Sequence, residues 1–345
     1  MKNLTNRVTI QDIADALGVS RNTVSKALND TGILAKSTKE KILKKAAEMG
    51  YQQISFSYLQ DSTMKMGGEI ALFTTSILGK SHFASIMLDY FQSEIAKMGY
   101  RLTFYLIRDK EIQSKALPLT FHKENVKGIL CVEVFDSAYS QLVCNIGLPT
   151  LFVDAPANLD SLSLAADVLL MNNSANIYRF INEMVRRGKR KFGFIGEYMH
   201  CQSFYERYYA YKHTLDILKI SFNKDFCILG NDETMSYQDY LYNNLDKMKE
   251  LPDVFLCAND FVAIDFLHAL KVRGITVPND VYLCGFDDSS ESEIISPSLT
   301  TIHIHSQIMG LSAAQLLFSR IKEPSLDYRI LYTETTLKYR ESTEN

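Results

Sequence analysis

From residue 69 onward, apolar runs of strand length alternate with longer runs of helical period. Few architectures accept that alternation. "EIALFTTS" (69–76) is followed by the helical "FASIMLDYFQSEIAKMG" (83–99), then "YRLTFYLI" (100–107), "VKGILCVEV" (126–134) and "LPTLFVDAP" (148–156). Strands fed by crossover helices imply a parallel sheet covered on both faces. A second series opens with "DVLLMNN" (167–173) and continues through "KFGFIGE", "DVFLCAND" and "VYLCGFDD", each separated by helical stretches. The expectation is two doubly wound α/β lobes. Polar residues close the strands: Asp154, Asn172-Asn173, Asn259-Asp260 and Asp287-Asp288. Ligands of open α/β sheets bind beyond the carboxyl ends of strands, so these residues should line a cleft between the lobes. Any one of them is equally at home as a turn or helix cap.

Residues 1–60 read differently. Ile10, Ile13, Ala14 and Leu17 mark one face of a helix. Thr9 suits its cap, Asp12 its positive end, and Gly18 its stop. Ser20 caps a second helix, "RNTVSKALN", with Val24, Ala27 and Leu28 on its apolar side. With only Gly18 and Val19 between the first helix and that cap, the two must turn sharply, as in a helix-turn-helix. "STKE" (37–40) fits a capping box for a third helix, with Ile42, Leu43, Ala46 and Met49 as its stripe. Arg21, Asn22 and Lys26 then point away from this small core. Arg and Lys match guanine O6/N7 and Asn matches adenine N6/N7 in the DNA major groove. Ser20, Thr23 and Ser25 suit phosphates or caps. Thr9 and Asn29, at helix ends, complete the DNA-facing set. The bland alternative is a solvated face on a small helical domain.

Charge is divided in the same way. Residues 1–60 carry nine Lys/Arg and five Asp/Glu, while the remaining 285 carry 28 and 35. A basic head on an acidic body suits a polyanion partner for the head. No stretch approaches the ~18 apolar residues of a membrane span, and the N-terminus lacks an apolar leader core. Six scattered cysteines without CxxC read as buried reduced thiols, so a cytoplasmic protein is expected.

"VTIQDIADALGVSRNTVSKALN", followed by "STKEKILKKAAEMGY", resembles the DNA-binding head of the LacI/GalR family of bacterial repressors. The family pattern is V-T-[IL]-x-D-[IV]-A-x-x-A-G-V-S-x-x-T-V-S-[RK]-x-[IVL]-N. This chain departs from it at Leu17, where Ala is usual. By that resemblance Arg21, Asn22 and Lys26 are base readers. In the family a hinge segment Y-x-P-N-x-x-A-R-x-L folds on DNA and wedges its Leu into the minor groove. Here "GYQQISFSYLQ" keeps Tyr51, but Gln53 and Ile54 replace Pro-Asn, and Ser57 and Tyr58 replace Ala-Arg. The wedge falls to Leu59 in a shifted register, or the ungapped position holds Gln60. An ordinary linker is the alternative.

The resemblance continues through "VRRGKRKFGFIG", "VFLCANDFVAIDFLHALKVRGITVPNDVYLCGFDD" and "SPSLTTI", which look like the family's effector domain. It implies that Asp154, Arg207, Asn259 and Asp287 contact a small molecule. Asn172, Lys189 and Ala210 depart from the family pattern, so the identity of a sugar does not carry over. Arg207 and Asp287 are expected on opposite sides of a bound polyol, or Arg207 pairs with Glu206 or Asp287 as scaffold. His303 and His305 share a strand face, but two ligands without a third make no metal site. No phosphate loop, G-x-S-x-G or paired-acid motif appears, so neither catalytic residues nor a cofactor are expected.

The organisation expected is a helix-turn-helix domain over 1–52, a hinge over 53–67 and an effector and dimerisation domain over 68–345. Its first lobe should cover about 68–160 and 291–325, and its second about 161–290 and 326–340. The tail ends soon after "LKYREST" without a leucine-heptad extension, so a homodimer on a roughly palindromic DNA operator is expected. The function implied is a repressor controlled by a small molecule such as a sugar. The rivals are a solute-binding protein and a sugar-modifying α/β enzyme.

Overall fold

The computed structural model describes residues 8–29, 34–49, 67–76, 82–158 and 164–344. The chain divides into two compact units, 1–66 and 67–345.

In the first unit α1 (Ile10–Leu17) starts at Thr9, whose hydroxyl accepts the Asp12 amide at 3.3 Å while Asp12 accepts the Thr9 amide at 2.7 Å. This reciprocal capping box satisfies two amides that the helix itself leaves unpaired. Gly18 ends α1 at φ +65°, a left-handed conformation that favours glycine. α2 (Arg21–Asn29) is capped by Ser20, whose hydroxyl accepts the Thr23 amide at 3.1 Å. α3 (Lys36–Glu48) begins one residue before Ser37, so Ser37 lies inside the first turn and not at the expected cap. Ala35 fills the flanking place, its carbonyl accepting the amides of Thr38 and Lys39. Ile13, Ala14, Val24, Ala27, Ile42 and Ala46 form a closed core, and Leu17 packs against it. The Leu43 side chain lies outside the described residues.

The second unit follows the alternation read from the sequence. Its elements are β1 (Gly68–Thr74), α4 (His82–Lys97), β2 (Tyr100–Leu106), α5 (Asp109–Ser114), β3 (Val126–Val132), α6 (Ser137–Cys144), β4 (Thr150–Val153) and β5 (Asp167–Met171). After these come α7 (Ala175–Arg186), β6 (Phe192–Ile195), α8 (Gln202–Ile217), α9 (Tyr237–Asp246), β7 (Val254–Cys257), α10 (Asp260–Val272), β8 (Tyr282–Cys284) and α11 (Ser290–Ile294). The chain closes with β9 (Thr301–Ile304), α12 (Ser306–Lys322), β10 (Ile330–Thr333) and β11 (Thr335–Lys338). A six-stranded parallel sheet runs β10-β5-β4-β3-β1-β2, and a three-stranded one runs β6-β7-β8. β9 pairs antiparallel with β11 and lies beside the second sheet, where Thr300, just before β9, bridges Cys284 of β8 and His303 bridges Asp287, just after β8.

This pairing corrects the expected lobe limits. β5, expected to open the second lobe, hydrogen-bonds to β4 in the first, and β10 extends the same sheet. β9, expected in the first lobe, belongs with the second. For β5 and β10 the physical reason is buried charge, whereas β9 follows its pairing with β11. Asp167 at the start of β5 is fully buried and accepts from Arg320 at 2.9 and 3.1 Å and from the Arg329 side chain at 3.0 Å. Two guanidiniums, from α12 and from the approach to β10, are thereby tied to the first sheet. α12 lies close on α4, because a Cβ at Gly310 would stand 2.3 Å from the Met87 carbonyl. The chain therefore crosses between lobes three times: after β5, after β9 and after β10.

Candidate effector cleft and DNA-facing helix

On α2, Val24 and Ala27 are fully buried, which leaves Arg21, Asn22 and Lys26 exposed. Thr23 and Ser25 are half-buried, and the Ser20 and Thr23 hydroxyls lie 2.7 Å apart. The Ser20 and Thr9 hydroxyls both serve as caps. Leu59 and the Asn29 side chain lie outside the described residues. The cluster of three long polar side chains is what α2 offers to a partner.

In the body, a cavity of about 250 Å³ opens beyond the carboxyl ends of the strands. All four expected effector residues line it. Arg207, on α8, is 2 % exposed. Its Nε donates to Asn173 Oδ1 at 2.9 Å and its Nη1 to the Ala258 carbonyl at 2.7 Å. Nη1 also lies 3.5 Å from Asp287 Oδ1, and the guanidinium stacks 3.5 Å above the Phe286 ring. Arg207 and Asp287 are therefore neighbours in one lobe and do not face each other across the cavity. Glu206 is not Arg207's partner. Its carboxylate accepts from Asn173, Gln202 and Tyr332 instead.

Asp154, after β4, holds φ +59° and faces the cavity from the first lobe. Its Oδ1 accepts the Ala155 amide at 2.8 Å and, across the lobes, the Ser203 amide at 3.1 Å. Asn259 caps α10, accepting the Val262 amide at 2.9 Å, and its side chain also bonds Asp287. Burial raises the Asp154 carboxyl above its ordinary value, against the pull of its hydrogen bonds and Arg207. Burial pushes Asp287 up to about 6, with Arg207 opposing and Asp154 adding to it. Asp260, just behind, is pushed up to about 8 by burial and by Asp287.

For the Tyr- and His-rich run "EYMHCQSFYERYYAYKHT" (197–214) the sequence favours helical packing and cleft lining over catalysis, and His200 and Phe204 of that run line the cavity; Phe83, Phe135 and Phe261 are not singled out by it. Phe135 of the first lobe meets His200 of the second at 5.1 Å between ring centroids, and His200 meets Phe204 at 5.4 Å. Phe83 and Phe261 also line the cavity, with Glu133 as a third carboxylate. Phe135 follows "ILCVEV" directly, so the strand-end rule that found Asp154 reaches it too. His200 sits in the Tyr-rich run before α8, where its pattern does not separate lining from packing. His303 Nδ1 meets Asp288 at 2.7 Å, and no metal-ligating cluster is present among the described residues.

Residues 9–53 match the family described as bacterial regulatory proteins, lacI family, and residues 181–343 match the periplasmic binding protein-like domain. The chain thus joins a DNA-binding domain of the LacI family to a periplasmic binding protein-like domain. The HTH-type transcriptional repressor PurR of Vibrio atlanticus is 26% identical over 325 residues, covering 93% of this chain and 94% of that one. PurR of Haemophilus influenzae is 27% identical over 316 residues, 91% of each. Among solved structures, a transcriptional regulator CelR–cellobiose complex superposes with TM-score 0.68 at 20% identity, over 97% of this chain and 100% of that one. A lac repressor dimer bound to operator and the anti-inducer ONPF gives 0.63 at 21%, over 98% and 99%. With these two domains the chain is a DNA-binding regulator of transcription whose body binds a ligand. No helix among the described residues is long and apolar enough to cross a membrane.

Proposed function

We propose that this regulator is a cytoplasmic repressor, acting as a homodimer on a roughly palindromic operator, and that a neutral polyhydroxylated ring such as a sugar in the cleft controls its DNA affinity. Arg21, Asn22 and Lys26 read bases, while Ser20, Thr23 and Ser25 serve phosphates or caps. The observation that carries the reading is the composition of the cavity. Arg207 offers donors from a fixed planar fork, Asp154 and Asp287 offer acceptors, and aromatic rings from both lobes offer apolar faces. Three carboxylates stand against one guanidinium, a balance that disfavours phosphorylated or carboxylated effectors. The cavity is smaller than the ~300 Å³ at which drug-sized pockets begin, so the effector is small. The cleft bridges two lobes, so a ligand that binds one lobe arrangement better shifts the population toward it.

The relatives support a regulator over an enzyme, and we assign no catalytic role to any residue. The test is a thermal-shift screen of D-ribose, D-galactose, cellobiose, glucose 6-phosphate and hypoxanthine. A ligand at 100 times its Kd stabilises by ~2.7 kcal/mol. A neutral sugar should raise the melting temperature of the body and glucose 6-phosphate should not. A shift from glucose 6-phosphate alone, or turnover of any sugar, defeats the proposal.

A further inference from the structure

The loop after β8 carries Asp287 into the cleft in an unusual backbone. Asp287 has φ +115° and its neighbour Asp288 has φ +60°. Two successive non-glycine residues in this region are held there only when their surroundings fix them. The surroundings of Asp288 do so. Its side chain is 6 % exposed and meets three cationic or proton-donating groups. Arg340 Nη2 donates to Oδ1 at 2.6 Å, while Lys338 Nζ and His303 Nδ1 donate to Oδ2, each at 2.7 Å. The backbone is pinned as well. The Asp287 amide donates to the Ile302 carbonyl at 2.8 Å, and the Ser289 amide to Asp260 Oδ2 at 2.8 Å.

All three partners of the Asp288 carboxylate lie on, or just beyond, β9 and β11. His303 is on β9, Lys338 ends β11 and Arg340 follows it. These two strands adjoin two of the three crossings between lobes. The crossings are stitched together nearby. Thr335 Oγ1 donates to the Asn172 carbonyl at 3.0 Å, and Asn176 Nδ2 donates to the Thr335 carbonyl at 2.8 Å.

We propose that Asp288 is a positioning residue for the effector: clamped by His303, Lys338 and Arg340, it sets the Asp287 carboxylate beside Arg207 and ties that carboxylate to the interlobe crossings. Asp288 itself does not line the cavity, so its effect on the effector runs through Asp287. The proposal rests on reading the cleft as a sugar site, and its test separates the two.

The full chain is compared with Asp288→Asn and with Lys338→Met, which removes one cation from a partly exposed position and leaves the fold less at risk. In ligand-free hydrogen–deuterium exchange, both variants should speed exchange across 285–289 by roughly ten-fold, the loss of about one charge-assisted hydrogen bond. Exchange in β6 and β7 should hold. D-ribose, D-galactose and cellobiose are then titrated; whichever binds wild type should bind the variants about 3- to 30-fold more weakly. Ligand-free DNA affinity should stay the same, and Lys338→Arg should restore sugar binding. Unchanged exchange at 285–289, or loosened exchange with unchanged sugar affinity, overturns the proposal. Failure of all three sugars to bind wild type defeats the sugar reading instead, and the exchange data still decide whether Asp288 sets the Asp287 loop.

Discussion

Replacing Arg207 with lysine keeps a positive charge in the cleft and removes the fork. In the wild type that fork serves the Asn173 side chain, the Ala258 carbonyl and Asp287 at once, and its plane covers Phe286. A lysine ammonium at the end of a flexible stem reaches one of these acceptors, leaving two buried ones without a donor. Each unsatisfied buried acceptor costs about 1–3 kcal/mol, so Arg207→Lys should destabilise the body by roughly 2–6 kcal/mol. At about 2 °C per kcal/mol for a domain of this size, the melting temperature falls by roughly 4–12 °C. The effector loses a charge-assisted donor as well, worth about 1.5–3 kcal/mol, so its affinity should drop roughly 10- to 150-fold. Differential scanning calorimetry with and without the sugar found by screening measures both effects. The ligand-free unit 1–66 should melt as in wild type. A variant that binds the sugar as tightly as wild type removes Arg207 from the effector site. One that loses sugar binding without any loss of ligand-free stability contradicts the scaffold role given to its three acceptors.

Asp167→Asn breaks a buried ion triad and should cost about 3–5 kcal/mol of body stability in chemical denaturation. Burial pushes the Asp167 carboxyl up, but the hydrogen bonds from Arg320 and Arg329 outweigh it and hold the group below its ordinary 3.8. Its contribution is therefore complete above about pH 4 and lost as pH falls through the folded value. The Asn variant should lack that acid-side loss, and parallel acid profiles would show that the triad does not act this way. In the head, Arg21→Ala and Asn22→Ala should each cost about 1–3 kcal/mol on the best operator and relax preference at one base pair per half-site. Uniform loss across all sequences in a binding-site selection would make them phosphate contacts. Asp287, pushed up to about 6 by burial, accepts an effector hydroxyl best when ionised. Sugar affinity should weaken as pH falls through 6, by up to about ten-fold per unit, and Asp287→Asn should flatten the profile seen by calorimetry. The same raised value makes ligand-free stability fall as pH rises from 3.8 through 6, because the folded state must ionise a buried group.

The sequence was most legible where local rules and tertiary packing agree. Thr9, Asp12 and Gly18 cap and stop α1 as their chemistry dictates, and the period of Val24, Ala27 and Ile42 names the core of the head. Strand ends named the cleft, since Asp154, Asn259 and Asp287 all reach it. The lobe limits were not legible, because β5 reads as a buried strand wherever it pairs. What places it is Asp167, whose partners stand 153 and 162 residues away. Separation of that kind leaves no periodic trace. The same holds for Arg207 and Asp287, 80 residues apart, whose side chains meet at 3.5 Å within one lobe. Among aromatic residues, pattern does not distinguish a ring that lines a cleft, such as His200, from one that packs, such as the fully buried Tyr211.

Coupling between the cleft and the DNA-binding head is read out by fluorescence anisotropy on a selected operator. The operator dissociation constant is measured with and without saturating sugar, and the sugar constant with and without operator. Coupling requires the two ratios to be equal, in the range of about 5 to 150. Arg207→Lys should lose the response to sugar concentrations that saturate the wild type. Operator affinity that stays the same at saturating sugar would show that the cleft does not control the head, even if every residue of the cleft binds its ligand.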